Sequence, residues 1–268
     1  MIFRKPFLPL VALGLALAAA PSLPAQTAPP AKAPDPLLQR VRHGVAAFLD
    51  LFSDVKCTEQ VMQEKLTPKG KVEYQEQSKF DYLLIAQGTG PDISLEESRL
   101  EEQTPEHKKD LPLLVTNGFA TLLLVFHPAY QDSFEFSAPE EDSSGGQKLV
   151  KIRFRHIPNT RSTAVLVLRG RQYPLDLAGT AWVEPETGAV LRIQAELASS
   201  MDDVGLHAFN SDVSYAPVHF KDLPDAPLLP AQATIEGETA RQHWRNVHTF
   251  SGYQRFSVST QESVRAQK

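Results

Sequence analysis

The sequence predicts an α+β, β-rich domain: one large antiparallel sheet, an N-terminal helix, and a second short helix covering the sheet. Three observations carry this. The stretch Ala178–Leu197 reads as two strands joined by a tight turn. From Lys148 onward almost every segment has strand character. Ahead of it lie two apolar stretches suited to helices, Pro36–Phe52 and Phe119–Phe126.

The hairpin is the clearest element. Leu191, Ile193, Ala195 and Leu197 fall on one face, and Arg192, Gln194 and Glu196 on the other. Period two is the mark of a half-buried strand. In the connection Glu184-Pro185-Glu186-Thr187-Gly188, Pro185 presets φ for a turn, and Gly188 can take the positive φ that closes it.

In the helix Pro36–Phe52, Leu38, Val41, Val45, Phe48, Leu49 and Phe52 recur at helical spacing. Asp35 suits the N-cap and Pro36 the first helical position. Strands follow at Lys56–Leu66 and Lys71–Ala86, with Thr67–Gly70 as the turn. Asp92–Asp110 reads as a short strand and loop or as an exposed helix. Its acidic residues, among them Glu96, Glu97 and Glu101, read as a solvated face rather than a metal site. Within Leu111–Tyr130, Asn117 reads as an N-cap and Phe119–Phe126 as a buried helix stopped by Pro128. A strand is the competing reading of Leu122–Phe126, because an unbroken apolar run does not settle its own period. Phe134 and Phe136 open a strand, and Pro139–Gln147 reads as a surface loop.

Val150, Ile152 and Phe154 then alternate with Lys151, Arg153 and Arg155. Ala164–Leu168 reads as a strand buried on both faces. Further strands are expected at Leu206–Phe220, Ala231–Glu236, Ala240–Phe250 and Tyr253–Ser259, with a turn at Gly237. The proline-rich Leu223–Pro230 is expected to stay outside the sheet.

Residues 1–25 read as a signal peptide: Arg4 and Lys5, the apolar run Phe7–Ala20, and a cleavage point at Ala25. The run is too short for a transmembrane anchor. Residues 26–36 are a Pro/Ala linker, 37–259 a single domain and 260–268 a tail. The expected location is periplasmic or secreted. Of 27 Lys and Arg, cleavage removes two and spares all 32 Asp and Glu, leaving a net charge of −7. That excludes nucleic acid as a partner and disfavours electrostatic docking on anionic membranes.

No motif carries catalysis or a cofactor. G-x-S-x-G, S-x-x-K, H-E-x-x-H and paired C-x-x-C are absent, and the eight histidines are scattered. Glu184, Glu186, Asp202 and Asp203 read as solvated turn acids, and Cys57 as a small buried hydrophobe. The remaining signal is apolar. If the sheet curls, its concave face is filled either by side chains alone or by side chains and a ligand. The candidate lining is Phe119, Leu122, Leu123, Phe126, Ile152, Phe154, Trp182 and Ile193.

The order of these elements, with "GTAWVEPETGAVLRI" and the closing "RNVHTFSGYQRFSV", is similar to a group of uncharacterised exported bacterial proteins. These in turn distantly resemble the LolA/LolB-like carriers and receptors of outer-membrane lipoproteins. The resemblance covers most of residues 37–259. It implies a curved sheet, a half-open barrel, whose concave face is covered by helices over an apolar cavity. It also implies a non-enzymatic envelope protein that binds a lipid or a lipoprotein acyl chain. No functional residue of the carriers carries over to a position here. Two other readings stand beside it. One is a solid-cored module that binds another envelope protein through Trp182 or the Trp244, Tyr253 and Phe256 group. The other is an envelope hydrolase.

Overall fold

The helix starts where its cap dictates. In the computed structural model, which describes residues 35–87, 93–103, 115–142, 146–168 and 170–256, the Asp35 carboxylate accepts the backbone N–H of Leu37 at 2.8 Å and of Leu38 at 3.4 Å. Pro36 occupies the first turn, where its missing N–H costs nothing, and α1 runs Pro36–Phe52. It buries Leu37, Val41, Val45, Phe48, Leu49 and Phe52, with Leu38 only half-buried. The expected signal peptide, the linker up to residue 34 and the tail lie outside the described residues.

The strands are β1 (Val55–Leu66), β2 (Val72–Gln87), β3 (Ser94–Gln103), β4 (Val115–Asn117), β5 (Phe134–Phe136), β6 (Glu140–Asp142) and β7 (Leu149–His156), then β8 (Val165–Leu168), β9 (Arg171–Pro174), β10 (Leu177–Val183), β11 (Val190–Leu197), β12 (Leu206–Pro217), β13 (Leu228–Thr239) and β14 (His243–Arg255). Eleven of them form one sheet in the order β3-β2-β1-β14-β13-β12-β11-β10-β7-β5, with β6 also on β7. All its pairings are antiparallel, and β1 lies beside β14, so the two ends of the domain share a ladder. The sheet is open: β3 and β5 are its edges. A second sheet, β4-β8-β9, has three strands.

One contiguous core joins α1, residues 119–126, Leu166 of β8 and the inner face of the large sheet from Tyr82 of β2 to Phe154 of β7. In a flat sheet β2 and β7 would stand roughly 34 Å apart. Here Phe52 stacks on Tyr82 at 6.2 Å, and Phe126 meets Phe154 at 6.3 Å. The sheet therefore curls around the helix and the apolar segment, making a half-open barrel. Each buried Leu or Phe on that inner face contributes about 2 kcal/mol of transfer free energy.

Several segments differ from the sequence reading. Phe119–Phe126 is not an α-helix. Leu122–Phe126 and Pro128–Ser133 are consecutive 3-10 turns. Leu122–Phe126 is buried on all sides, so no polar face sets a helical period, and the bend at Pro128 leaves no room to propagate. Asn117 ends β4 rather than capping a helix, because β4 pairs with β8. Ala164–Leu168 holds a strand buried on one side: Leu166 is enclosed, while Val165 and Val167 are half-buried. The expected loop Pro139–Gln147 contains β6, and β9 is a further strand beyond those the sequence predicts.

The β12–β13 connection also departs. Leu228–Pro230 joins the sheet, paired with Tyr215–Pro217 next to a register shift after Ser214. Such an irregularity tolerates a proline without an N–H to donate. Gly237 sits within β13, and the turn falls at Thr239–Gln242 instead. Residues 104–114 and the expected strand end at 257–259 lie outside the described residues.

Candidate functional site

The structure gathers seven of the eight expected lining residues in one buried core. Phe119, Leu122, Leu123, Phe126, Ile152, Phe154 and Ile193 are each at most 3% exposed. Phe126 stacks on Phe136, and Phe119 packs on Phe209. Trp182 is the correction. It stands on the outer face of β10, because Ala181 and Val183 on either side of it point into the core. Its indole N–H donates to Asp142 at 2.8 Å, and its ring lies between Arg192 and Lys151 at 5.0 and 5.8 Å.

Among the cavities bordered by the described residues, two bear on ligand binding. The first, of about 310 Å3, opens between α1, the β10–β11 turn and the start of β13. Val45, Phe48 and Leu51 form one wall, and Leu123, Val190, Pro227 and Leu228 the others. Thr187 is the one polar side chain on its lining among the described residues. Of the expected residues, only Leu123 reaches it. Its shape is set by the turn pressing on the helix. Gly188 has φ +77°, and a Cβ there would lie 2.8 Å from the Arg40 carbonyl carbon. Arg40 in return donates to the Pro185 carbonyl at 2.8 Å.

The second cavity is a cleft of about 1020 Å3. It lies between β9 and the adjoining ends of β12, β13 and β14, away from α1. Leu166, Tyr173, Val204, Leu206 and Trp244 supply carbon walls, and Arg171, Arg241, His207 and Asp203 supply charge or polarity. Small-molecule sites usually measure about 300–1,000 Å3, so the two cavities stand at the two ends of that range. Sequence reading missed the cleft because separate segments build it. The only local signal was the pair Arg171 and Arg241 beside short turns.

The inner face also carries a buried ionic group. Glu59 of β1 accepts from Arg99 of β3 at 2.6 Å and meets His248 of β14 at 2.8 Å. Arg99 also bonds Glu97 at 2.8 Å and Asn117 at 3.1 Å. Glu97 accepts the Gly118 N–H at 2.6 Å. Its side chain is 4% exposed, so at this position the expected solvated acidic face is overturned by pairing across β3. Burial alone would raise the Glu59 pKa, but His248 and Arg99 outweigh it and hold the carboxyl below its usual value. Cys57 is buried and free, with its thiol pushed up to about 12, first by burial and then by the Glu59 charge.

A third group has the outline of a hydroxyl–imidazole–carboxylate relay. His156 Nδ1 lies 2.7 Å from Asp176, and Thr160 Oγ1 lies 3.2 Å from His156 Nε2. The Thr160 hydroxyl donates to the Ile157 carbonyl at 2.6 Å, and Nε2 also faces the Arg161 carbonyl at 3.2 Å. The proton a nucleophile would surrender is already directed at backbone, so the group clamps the loop after β7. Among the described residues no cluster of three or more His, Cys, Asp or Glu side chains is placed to hold a metal ion. Nor is any helix among them long and apolar enough to cross a membrane.

No protein-family model matches the chain, and no curated protein matches it. Solved structures to which it is similar include a putative outer membrane lipoprotein-sorting protein domain from Vibrio parahaemolyticus. That match has 10% identity and a TM-score of 0.46, over 84% of this chain and 94% of the other. A LolA superfamily protein from Nitrosomonas europaea matches at 8% identity and a TM-score of 0.36, over 83% and 94%. A DUF1329 family protein from Desulfovibrio piger matches at 10% identity and a TM-score of 0.40, over 84% and 95%. The likeness is distant.

Proposed function

We propose that this is a non-enzymatic protein of the cell envelope that binds a hydrophobic ligand, a lipid or an acyl chain, in the pocket under α1. The observation that supports this reading is the lining of that pocket: about 310 Å3 walled by Val45, Phe48, Leu51, Leu123, Val190 and Leu228, with Thr187 as its one polar side chain among the described residues. Each methylene moved from water into such a wall contributes about 0.8 kcal/mol. The test is titration with N-phenyl-1-naphthylamine, an uncharged fluorophore, together with mass spectrometry of a solvent extract of the purified protein. Saturable enhancement in the parent, lost in A47F/A189F, is the expected result. An unchanged signal in that variant sinks the reading.

One observation favours a second reading. The seven inward residues named above are all buried in one contiguous apolar core, as they would be in a solid interaction module. A protein that extracts no lipid and binds no probe would belong to that class, with another envelope protein as its partner.

A further inference from the structure

The cleft away from α1 differs in kind from the apolar pocket, and its charges single it out. Five arginines are committed to carboxylates: Arg99 to Glu59, Arg153 to Glu140, Arg192 to Asp212, Arg245 to Glu64 and Arg255 to Asp222. Arg171 and Arg241 have no carboxylate partner among the described residues, and both are exposed on the lining of the cleft. Asp203 shares that lining, so two guanidiniums face one carboxylate and the mouth is net positive.

This excess stands out because the chain as a whole is acidic, with a net charge of −5. A negative chain repels an anionic surface, but a local pair of guanidiniums inside a cleft still attracts a single anion. Guanidinium forks match carboxylate and phosphate oxygens. Beneath them lie Leu166, Tyr173, Leu206 and Trp244, which suit a hydrocarbon body rather than a sugar or a free anion. The volume accommodates one small molecule, not a folded partner.

The geometry points to a second binding site: the cleft takes an amphiphile with one apolar chain and a carboxylate or phosphate head, the head at Arg171 and Arg241 and the chain along Trp244. It is separate from the pocket under α1, so either site stands or falls alone.

The chain has two tryptophans, and Trp182 lies on the outer face, so W182F leaves Trp244 as the reporter of the cleft. Dodecanoate, dodecyl phosphate, dodecanol and dodecyltrimethylammonium are titrated against W182F by fluorescence, and against the unsubstituted protein by calorimetry. The expected result is that one or both anions perturb Trp244 and bind at least roughly tenfold more tightly than dodecanol. The order of the two anions identifies the head. Roughly tenfold weakening in R171Q/R241Q, with A47F/A189F unaffected, places the anion in the cleft. Equal binding of dodecanol and the anions overturns the inference, as does no binding of either anion. Unchanged affinity in R171Q/R241Q, or loss confined to A47F/A189F, overturns it equally. Calorimetry on the unsubstituted protein keeps the test valid should W182F fold poorly.

Discussion

The carboxylate of Glu59 meets the imidazole of His248 at 2.8 Å between the neighbouring strands β1 and β14, which join the beginning of the domain to its end. Arg99, arriving from β3, bonds the same carboxylate. Glu59 has no exposed surface, so this group is both a cross-link and a liability.

Removing Glu59 leaves Arg99 and His248 facing each other without a shared counter-charge. Glu59→Ala should cost about 3–5 kcal/mol, the usual range for breaking a buried ionic group. Glu59→Gln, which keeps the shape and part of the hydrogen bonding, should cost less. The pH dependence follows from the lowered pKa. The stabilisation is complete above the ordinary carboxyl value of 4.5 and is lost as pH falls through the lower folded value. Urea unfolding from pH 7 down to pH 3 should therefore show a decline in the parent below about pH 4.5, with that part of the decline absent in Glu59→Gln.

Gly188 is held against the helix by its turn. Gly188→Ala combines a strained positive φ with a Cβ 2.8 Å from α1 backbone, and should cost about 1–3 kcal/mol or more. Gly205 has a similar φ of +76° but open space where the Cβ would lie, so Gly205→Ala should cost only about 1 kcal/mol. Thermal unfolding of the two variants separates the clash from the strain. Equal losses would show that the turn does not bear on the helix.

The Leu123 backbone N–H donates to the buried hydroxyl of Tyr215 at 3.2 Å. Tyr215→Phe removes the acceptor without opening a cavity and strands that N–H. The expected cost is about 1–3 kcal/mol, read from chemical denaturation. Because Leu123 lines the apolar pocket, N-phenyl-1-naphthylamine affinity should fall in the same variant.

Cys57 should behave as a core residue. Its thiol is buried and titrates near 12, so the native protein at pH 8 holds almost no thiolate. Iodoacetamide labelling followed by mass spectrometry should leave Cys57 unmodified in buffer and modify it in 6 M urea. Rapid labelling of the native protein would contradict the packing of β1.

What was legible in the residues was local. Asp35 with Pro36 marked the start of α1, Thr67–Gly70 the first hairpin, and the alternation around Ile193 the inward face of β11. Each is decided within a few residues by a cap, a turn or a period of two. Trp182 shows the limit. On β10 its inward neighbours Gly179 and Ala181 are small, so the largest apolar ring of the strand stands on the outer face. The space opposite Gly179 is taken by Phe154, whose ring would lie 2.6 Å from a Cβ there. Glu97 is hidden for a similar reason: Gly118, whose N–H it accepts, and Glu59, which shares Arg99 with it, come from segments distant in sequence.

By itself the sequence determined an apolar-faced helix, a run of antiparallel strands and an acidic surface without catalytic motifs, because short-range sterics and periodicity set those. Only the tertiary structure decided which apolar side chains meet inside the half-barrel and that space survives beneath α1 and beside β9. A cavity is the small difference between the curl of an eleven-stranded sheet and the summed volumes of side chains drawn from distant segments. No local pattern encodes that difference.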